Sequence, residues 1–111
     1  MPESSSRNIR PGAAVVSPTG RLHMTTAPAL REQLLALVHG GQAFLVVDLS
    51  GVDSIDSSGL GALISGLKAA RQSDGDLRIV APSAQVITVL ELTNLNRVLK
   101  SFESVDAAFD E

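Results

Sequence analysis

The sequence predicts an α/β domain, a mixed sheet with helices packed mainly on one side. Short, β-branched apolar runs, "AFLVVDLS" (43–50) and "LRIVAP" (77–82), alternate with longer stretches whose apolar residues recur at helical spacing. Turn and cap residues such as Gly40-Gly41, Gly75-Asp76 and Ser83 separate the two kinds of segment. A chain of 111 residues with 44% hydrophobic content is also enough for one buried core. That core is aliphatic, because the only aromatic residues are three Phe.

Each element has its own local reason. Residues 1–11 are rich in Ser, Pro and Arg without periodicity and are expected to be a disordered, mobile tail, leaving 12–111 as the domain. "AAVVSPTGRLH" (13–23) offers two short strands, around 13–17 and 20–23, with Pro18-Thr19-Gly20 as the turn. "TTAPALREQLLALVHGG" (25–41) reads as a helix with Ala27, Leu30, Leu34, Leu37 and Val38 on one stripe. Thr26 or Ala27 is its expected cap, and Pro28 sits in the first turn, where a missing N–H costs little. His39 suits the C-terminal dipole, and Gly40-Gly41 stop the helix.

The uninterrupted run at 43–50 suits a central strand covered on both faces. "GVDSID" (51–56) is expected to be a loop with Val52 and Ile55 turned inward. A second helix runs from about 57 to 73 with Leu60, Leu63, Ile64 and Leu67 on one face. Ser83 caps a third, "AQVITVLELTN", which Asn94 ends in the left-handed conformation that Asn tolerates. "RVLKSF" (97–102) is expected as an edge strand, and "SVDAAFDE" (104–111) as a closing helix capped by Ser104.

Composition excludes several function classes. Cysteine is absent, so disulfides, thiolate metal sites and cysteine redox chemistry are excluded. The net charge is −3 and the Lys and Arg residues are scattered, which argues against nucleic-acid binding. No apolar run reaches the ~18 residues of a membrane span. "MPESSSRNIRPG" carries no apolar block of a signal peptide, so a cytoplasmic location is expected. No His/Asp/Glu spacing suggests a metal site, and no cofactor is expected.

The informative stretch is "DSIDSSGLGALISG" (53–66). A helix start leaves N–H groups unpaired and partly positive. One cap suffices there, yet Asp56, Ser57 and Ser58 stand in a row. A capping box is missing, since Gly59 and Leu60 lie three residues after Asp56 and Ser57. Gly61 and Gly66 inside the helix each cost about 0.8–1 kcal/mol relative to Ala. Gly59, Ala62, Gly66 and Ala69 form a smooth strip beside the Leu face. Such a strip either packs closely within the fold or admits the backbone of another protein.

A hydrolase elbow, G-x-S-x-G, fails because Ile55 and Asp56 stand two residues before the serines, and only His23 and His39 offer an imidazole. "SSGLGA" lacks the Gly-Lys-Ser/Thr ending of a nucleotide-binding loop. The chemistry left is an exposed serine that accepts phosphate from another enzyme, gaining about −1.5 to −2 charges. The helix N-terminus tolerates that charge. A partner interface would not, at a cost of about 2–5 kcal/mol.

"LVVDLSGVDSIDSSGLGALISGLKAAR" (45–71), with "GRLHMTTAPALREQL" before it and "LRIVAPSAQVITVLELTNLNRVL" after it, resembles STAS domains of the anti-sigma factor antagonist type. The likeness covers about residues 13–109, and D-S-S-G-L-G after a strand ending in D-L-S is its specific part. The resemblance implies a single STAS-type domain with a four- to five-stranded sheet and about four helices. It also implies bacterial partner switching in transcription regulation, of the stress-response kind. The unmodified antagonist binds an anti-sigma factor that is a serine kinase, which releases the sigma factor. The kinase phosphorylates the serine after the motif aspartate, which maps onto Ser57, and a serine phosphatase reverses the mark. Ser58 is the neighbouring position that is usually not the acceptor.

By the same resemblance, Asp56, Ser58, Gly59, Leu60, Gly61, Ala62 and Ser65 form the partner-binding set, with His23 and Thr25 of the preceding turn. The chain itself is expected to be non-catalytic. Two positions depart from the family pattern: His23 stands where Asp is common, and Asn94 where Gly is usual. The alternative reading keeps the fold in a STAS subunit of a lipid transporter or sensory complex, and a small serine hydrolase is a distant rival.

Overall fold

The structure is a computed structural model that describes residues 4–109, with side chains described from Pro11 onward. Strands β1 (Ser4–Arg10), β2 (Ala13–Pro18), β4 (Phe44–Asp48), β6 (Asp76–Val80) and β7 (Ser101–Phe102) form one sheet in the order β1-β2-β4-β6-β7. β1 runs antiparallel to β2, and the other pairings are parallel, so the sheet is mixed. β3 (Gly20–Leu22) and β5 (Val52–Ile55) make a separate two-stranded parallel sheet. Helices α1 (Ala27–His39), α2 (Ser57–Gln72) and α3 (Ala84–Leu92) cover one face, and the short α4 (Val105–Phe109) covers the other.

Strand alternation explains the two layers. Ala14 and Val16 of β2, Leu45 and Val47 of β4, and Leu77 and Ile79 of β6 enter the main core with Leu34, Leu63 and Leu67 of the helices. Val15, Val46 and Val80 point to the reverse face and meet Ala108. Burial on both sides is why β4 reads as an unbroken apolar run.

Arg78 ties α4 down on that reverse face. Its guanidinium carbon lies 4.9 Å from the centroid of Phe44 and 5.6 Å from that of Phe102. Nη1 donates to the Ala108 carbonyl (2.6 Å), and Nε pairs with Asp76 (3.3 Å). Phe44 in turn stacks on Phe109 with centroids 5.4 Å apart.

Several sequence expectations need correction. The segment expected as a mobile tail forms β1 from Ser4 to Arg10, while residues 1–3 lie outside the described residues. Its pairing with β2 rests on backbone hydrogen bonds, which need no apolar pattern, and it satisfies the groups along the outer edge of β2. The overlooked signal was Pro11-Gly12, the two residues between Arg10 and Ala13, with Gly12 at φ +80°. "GVDSID" is a strand over Val52–Ile55, because β3 supplies a parallel partner in the register Leu22↔Ile55. Most of "RVLKSF" is not a strand: Leu95–Arg97 is a 3-10 turn, and only Ser101 and Phe102 pair with β6. The expected caps Ser83 and Ser104 do accept from Val86 N (3.3 Å) and Ala107 N (3.1 Å), and Asn94 takes φ +60°. Thr26 precedes α1 without a side-chain cap bond, because its Oγ1 instead donates to Arg21 O and accepts from His23 N.

Candidate functional site

The site is assembled where β5 hands over to α2. Asp56 leaves the strand with extended backbone (φ −116°, ψ −172°) and caps the helix: its Oδ1 accepts from Gly59 N (3.1 Å). Its carbonyl accepts from Leu60 N (3.0 Å), and its own N–H reaches Leu22 O in β3 (3.3 Å). Asp56 thus supplies the side-chain cap of α2, and neither serine is needed for it. Ser57 follows as the first helical residue and is exposed. Among the described residues no group takes up its hydroxyl, and the backbone N–H groups of Ser57 and Ser58 have no protein acceptor.

Ser58 turns toward α1. With Gly61, Ala62 and Ser65 it forms one wall of an open groove of about 480 Å³. The opposite wall is the start of α1: Ala27, Pro28, Arg31 and Glu32, with Met24 at the mouth. Met24 is 71% exposed. Arg31 Nε donates to Ser65 Oγ across the groove (3.3 Å). Spacings of three and four residues bring 58, 61, 62 and 65 to one face of α2, and 28, 31 and 32 to one face of α1.

The three glycines of α2 differ in their surroundings. A Cβ on Gly59 would strike Leu22 O and Ile55, and one on Gly66 would come within 2.8 Å of Leu34 Cδ1 and 3.0 Å of Leu77 Cδ1. Those two glycines are buried and serve internal packing. A Cβ on Gly61 would meet nothing within 4 Å. That glycine faces the groove and has no packing reason within the fold.

Of the residues singled out as partner-binding, Gly59 and Leu60 are buried, and Leu60 belongs to the main core. They shape the loop from below and offer no contact surface. Ala62 is only 3% exposed but contributes to the groove wall. Thr25 is exposed, and Asp56, Ser58 and Ser65 are half-buried. His23 is half-buried; its Nε2 lies 3.0 Å from Ser54 Oγ, so the nearby imidazole serves Ser54 rather than Ser57. The His23 carbonyl accepts from Thr26 N (2.9 Å) and Ala27 N (2.7 Å), which sets the turn leading into α1. Sequence reading missed Met24, Pro28, Arg31 and Glu32. Their signal was the exposed Pro28, Arg31 and Glu32, which flank the buried stripe of Ala27, Leu30 and Leu34 on α1.

Among the described residues, no helix is long and apolar enough to cross a membrane. Residues 5–108 match the STAS domain family. A candidate anti-sigma factor antagonist from Thermotoga maritima is 43% identical over 68 residues, which cover 61% of this chain and 58% of that one. The match spans little more than half the length of that relative. The anti-sigma-B factor antagonist of Staphylococcus aureus is 32% identical over 87 residues, covering 78% of this chain and 81% of the relative. Among solved structures, an anti-sigma factor antagonist from Mycobacterium paratuberculosis superposes with a TM-score of 0.86 at 28% identity, over 99% of this chain and 92% of that one. The anti-sigma factor antagonist SpoIIAA in its unphosphorylated form shares the fold alone, with a TM-score of 0.84 at 16% identity over 97% of this chain and 94% of that one.

Proposed function

We propose that this chain, which belongs to the STAS domain family, acts as a cytoplasmic anti-sigma factor antagonist switched by phosphorylation of Ser57. In its unmodified form it binds an anti-sigma factor that is also a serine kinase, and the bound anti-sigma factor lets go of its sigma factor. The kinase transfers the γ-phosphoryl group of ATP to Ser57 Oγ. An ester P–O bond forms, the bond to the β-phosphate breaks, ADP leaves, and a base on the kinase takes the hydroxyl proton. A serine phosphatase hydrolyses the ester. The chain carries out no step of this chemistry.

One observation carries the reading: Asp56 supplies the side-chain cap, so the hydroxyl next to it is exposed and uncommitted. A phosphate there adds about −1.5 to −2 charges. The host fold accepts them, since the Ser57 and Ser58 N–H groups are unpaired and the helix dipole favours an anion by about 0.3–1 kcal/mol. An interface that covers the same spot does not. The dianion would have to be desolvated beside Asp56, at about 2–5 kcal/mol, a 30-fold to several-thousand-fold loss of affinity. The groove beside Ser58, bare at Gly61 and lined by Arg31 and Glu32, suits a partner backbone carrying polar groups.

The test is incubation of the purified chain with its cognate anti-sigma factor kinase and ATP, followed by mass spectrometry. A single added phosphate on Ser57, absent from Ser57→Ala, is expected. A mark on another residue, or none, contradicts the proposal.

A further inference from the structure

Among the described residues, β5 has one strand neighbour, β3. Asp56 N–H points to that neighbour and donates to Leu22 O (3.3 Å). Successive N–H groups of a strand point to opposite edges, so the Ile55 N–H points to the open edge, where no strand can accept it. Gln85 accepts it instead: Ile55 N donates to Gln85 Oε1 at 3.1 Å, across 30 positions of the chain. Gln85 is an exposed residue on the first turn of α3. That turn is capped by Ser83 Oγ and anchored by the buried Val86. On the other side chain of the strand end, Ser54 Oγ is held by His23 Nε2 (3.0 Å).

We infer that Gln85 is a positioning residue for Ser57, an inference that rests on Ser57 being the phosphate acceptor. Ile55 lies one residue before the cap and two before the serine. Its buried side chain (3% exposed) fixes one direction of the strand end, and the bond to Gln85 fixes the orientation of its peptide group. That group is the Ser54–Ile55 peptide; the next one, Ile55–Asp56, is held by Leu22 O through the Asp56 N–H, and the two together set the direction in which the chain reaches Asp56 and Ser57. Phosphoryl transfer depends on holding the attacking oxygen in line with the phosphorus, and small misplacements cost rate. Gln85 does not line the groove between α1 and α2, and among the described residues its hydrogen bond goes to Ile55 and not to Ser57. Its loss therefore lowers kcat for phosphorylation and leaves KM for this chain unchanged.

Gln85→Leu, similar in size but unable to accept, tests this in the full chain. Amide hydrogen exchange by NMR should show the Ile55 N–H exchanging about fivefold faster, the loss of one ordinary hydrogen bond. The kcat for Ser57 phosphorylation by the cognate kinase should fall at least as far, with KM held. Gln85→Glu, which keeps an accepting oxygen, should restore protection of the Ile55 amide. Faster exchange with unaltered kcat would show a structural strut and overturn the inference, as would unaltered exchange. Wild-type chain that takes no phosphate on Ser57 would overturn the proposed function as a whole. A wild type that is modified normally while Gln85→Leu behaves identically overturns only the role of Gln85.

Discussion

Gly61→Ala separates the needs of the fold from those of the site. Gly61 lies in the fifth position of α2, exposed, and a Cβ there meets nothing within 4 Å. With no steric cost, the substitution gains the helix propensity of Ala over Gly, about 0.8–1 kcal/mol. A domain of 111 residues unfolds with an entropy of roughly 230 cal/mol/K at about 2.1 cal/mol/K per residue. The gain therefore raises Tm by about 3–4 °C. Gly66→Ala is the internal control. It makes the same propensity gain, but its Cβ would lie 2.8 Å from Leu34 Cδ1 and 3.0 Å from Leu77 Cδ1, inside a core that leaves Leu34 0% exposed. Overpacking of about 1–3 kcal/mol offsets or exceeds the gain. Calorimetry on the three proteins checks the pair: Gly61→Ala should melt higher than wild type, and Gly66→Ala at or below it. Equal shifts in both, or a lower Tm for Gly61→Ala, would refute the assignment of Gly61 to the groove and Gly66 to the core. In a titration with the anti-sigma factor, the stabilised Gly61→Ala should bind more weakly, because its methyl group occupies the groove.

Asp56→Ala removes the sole side-chain cap of α2 and the acceptor for Gly59 N–H, so urea unfolding should show about 1 kcal/mol lost with an unchanged m-value. Arg78→Ala removes the stacking on Phe44 and Phe102 and the bond to the Ala108 carbonyl, about 2–4 kcal/mol together. Limited proteolysis should then cut near the start of α4 faster than in wild type, and unchanged cutting would mean that the apolar contacts of Ala108 hold α4 without Arg78.

How legible each feature was in the sequence follows from how local its cause is. α2 and α3 could be read because their caps, Asp56 and Ser83, act on N–H groups three residues away, and β4 because burial on both faces leaves an apolar run. β1 was missed because its pairing to β2 uses backbone groups that carry no side-chain pattern, leaving only Pro11-Gly12 as a signal. β5 was missed because a four-residue strand becomes one only when β3 lies beside it. The glycines of α2 were seen, but their different surroundings were not: Gly59 faces Leu22 and Gly66 faces Leu34, contacts 37 and 32 positions apart in sequence, while Gly61, outside the strip of small residues, faces open space. Gln85 and Arg31, both exposed polar residues by sequence, gain their roles only through partners at Ile55 and Ser65.

The central claim is that one phosphate group at the tip of α2 repels a partner while the host fold stays intact. Isothermal titration of the anti-sigma factor with unmodified and stoichiometrically Ser57-phosphorylated chain, beside melting curves of both, tests it directly. Phosphorylation should weaken binding by at least about 30-fold, the lower end of the desolvation cost, with Tm unchanged within a degree or two. Equal affinity for the two forms, or weakened binding that merely follows a collapse of Tm, would contradict it.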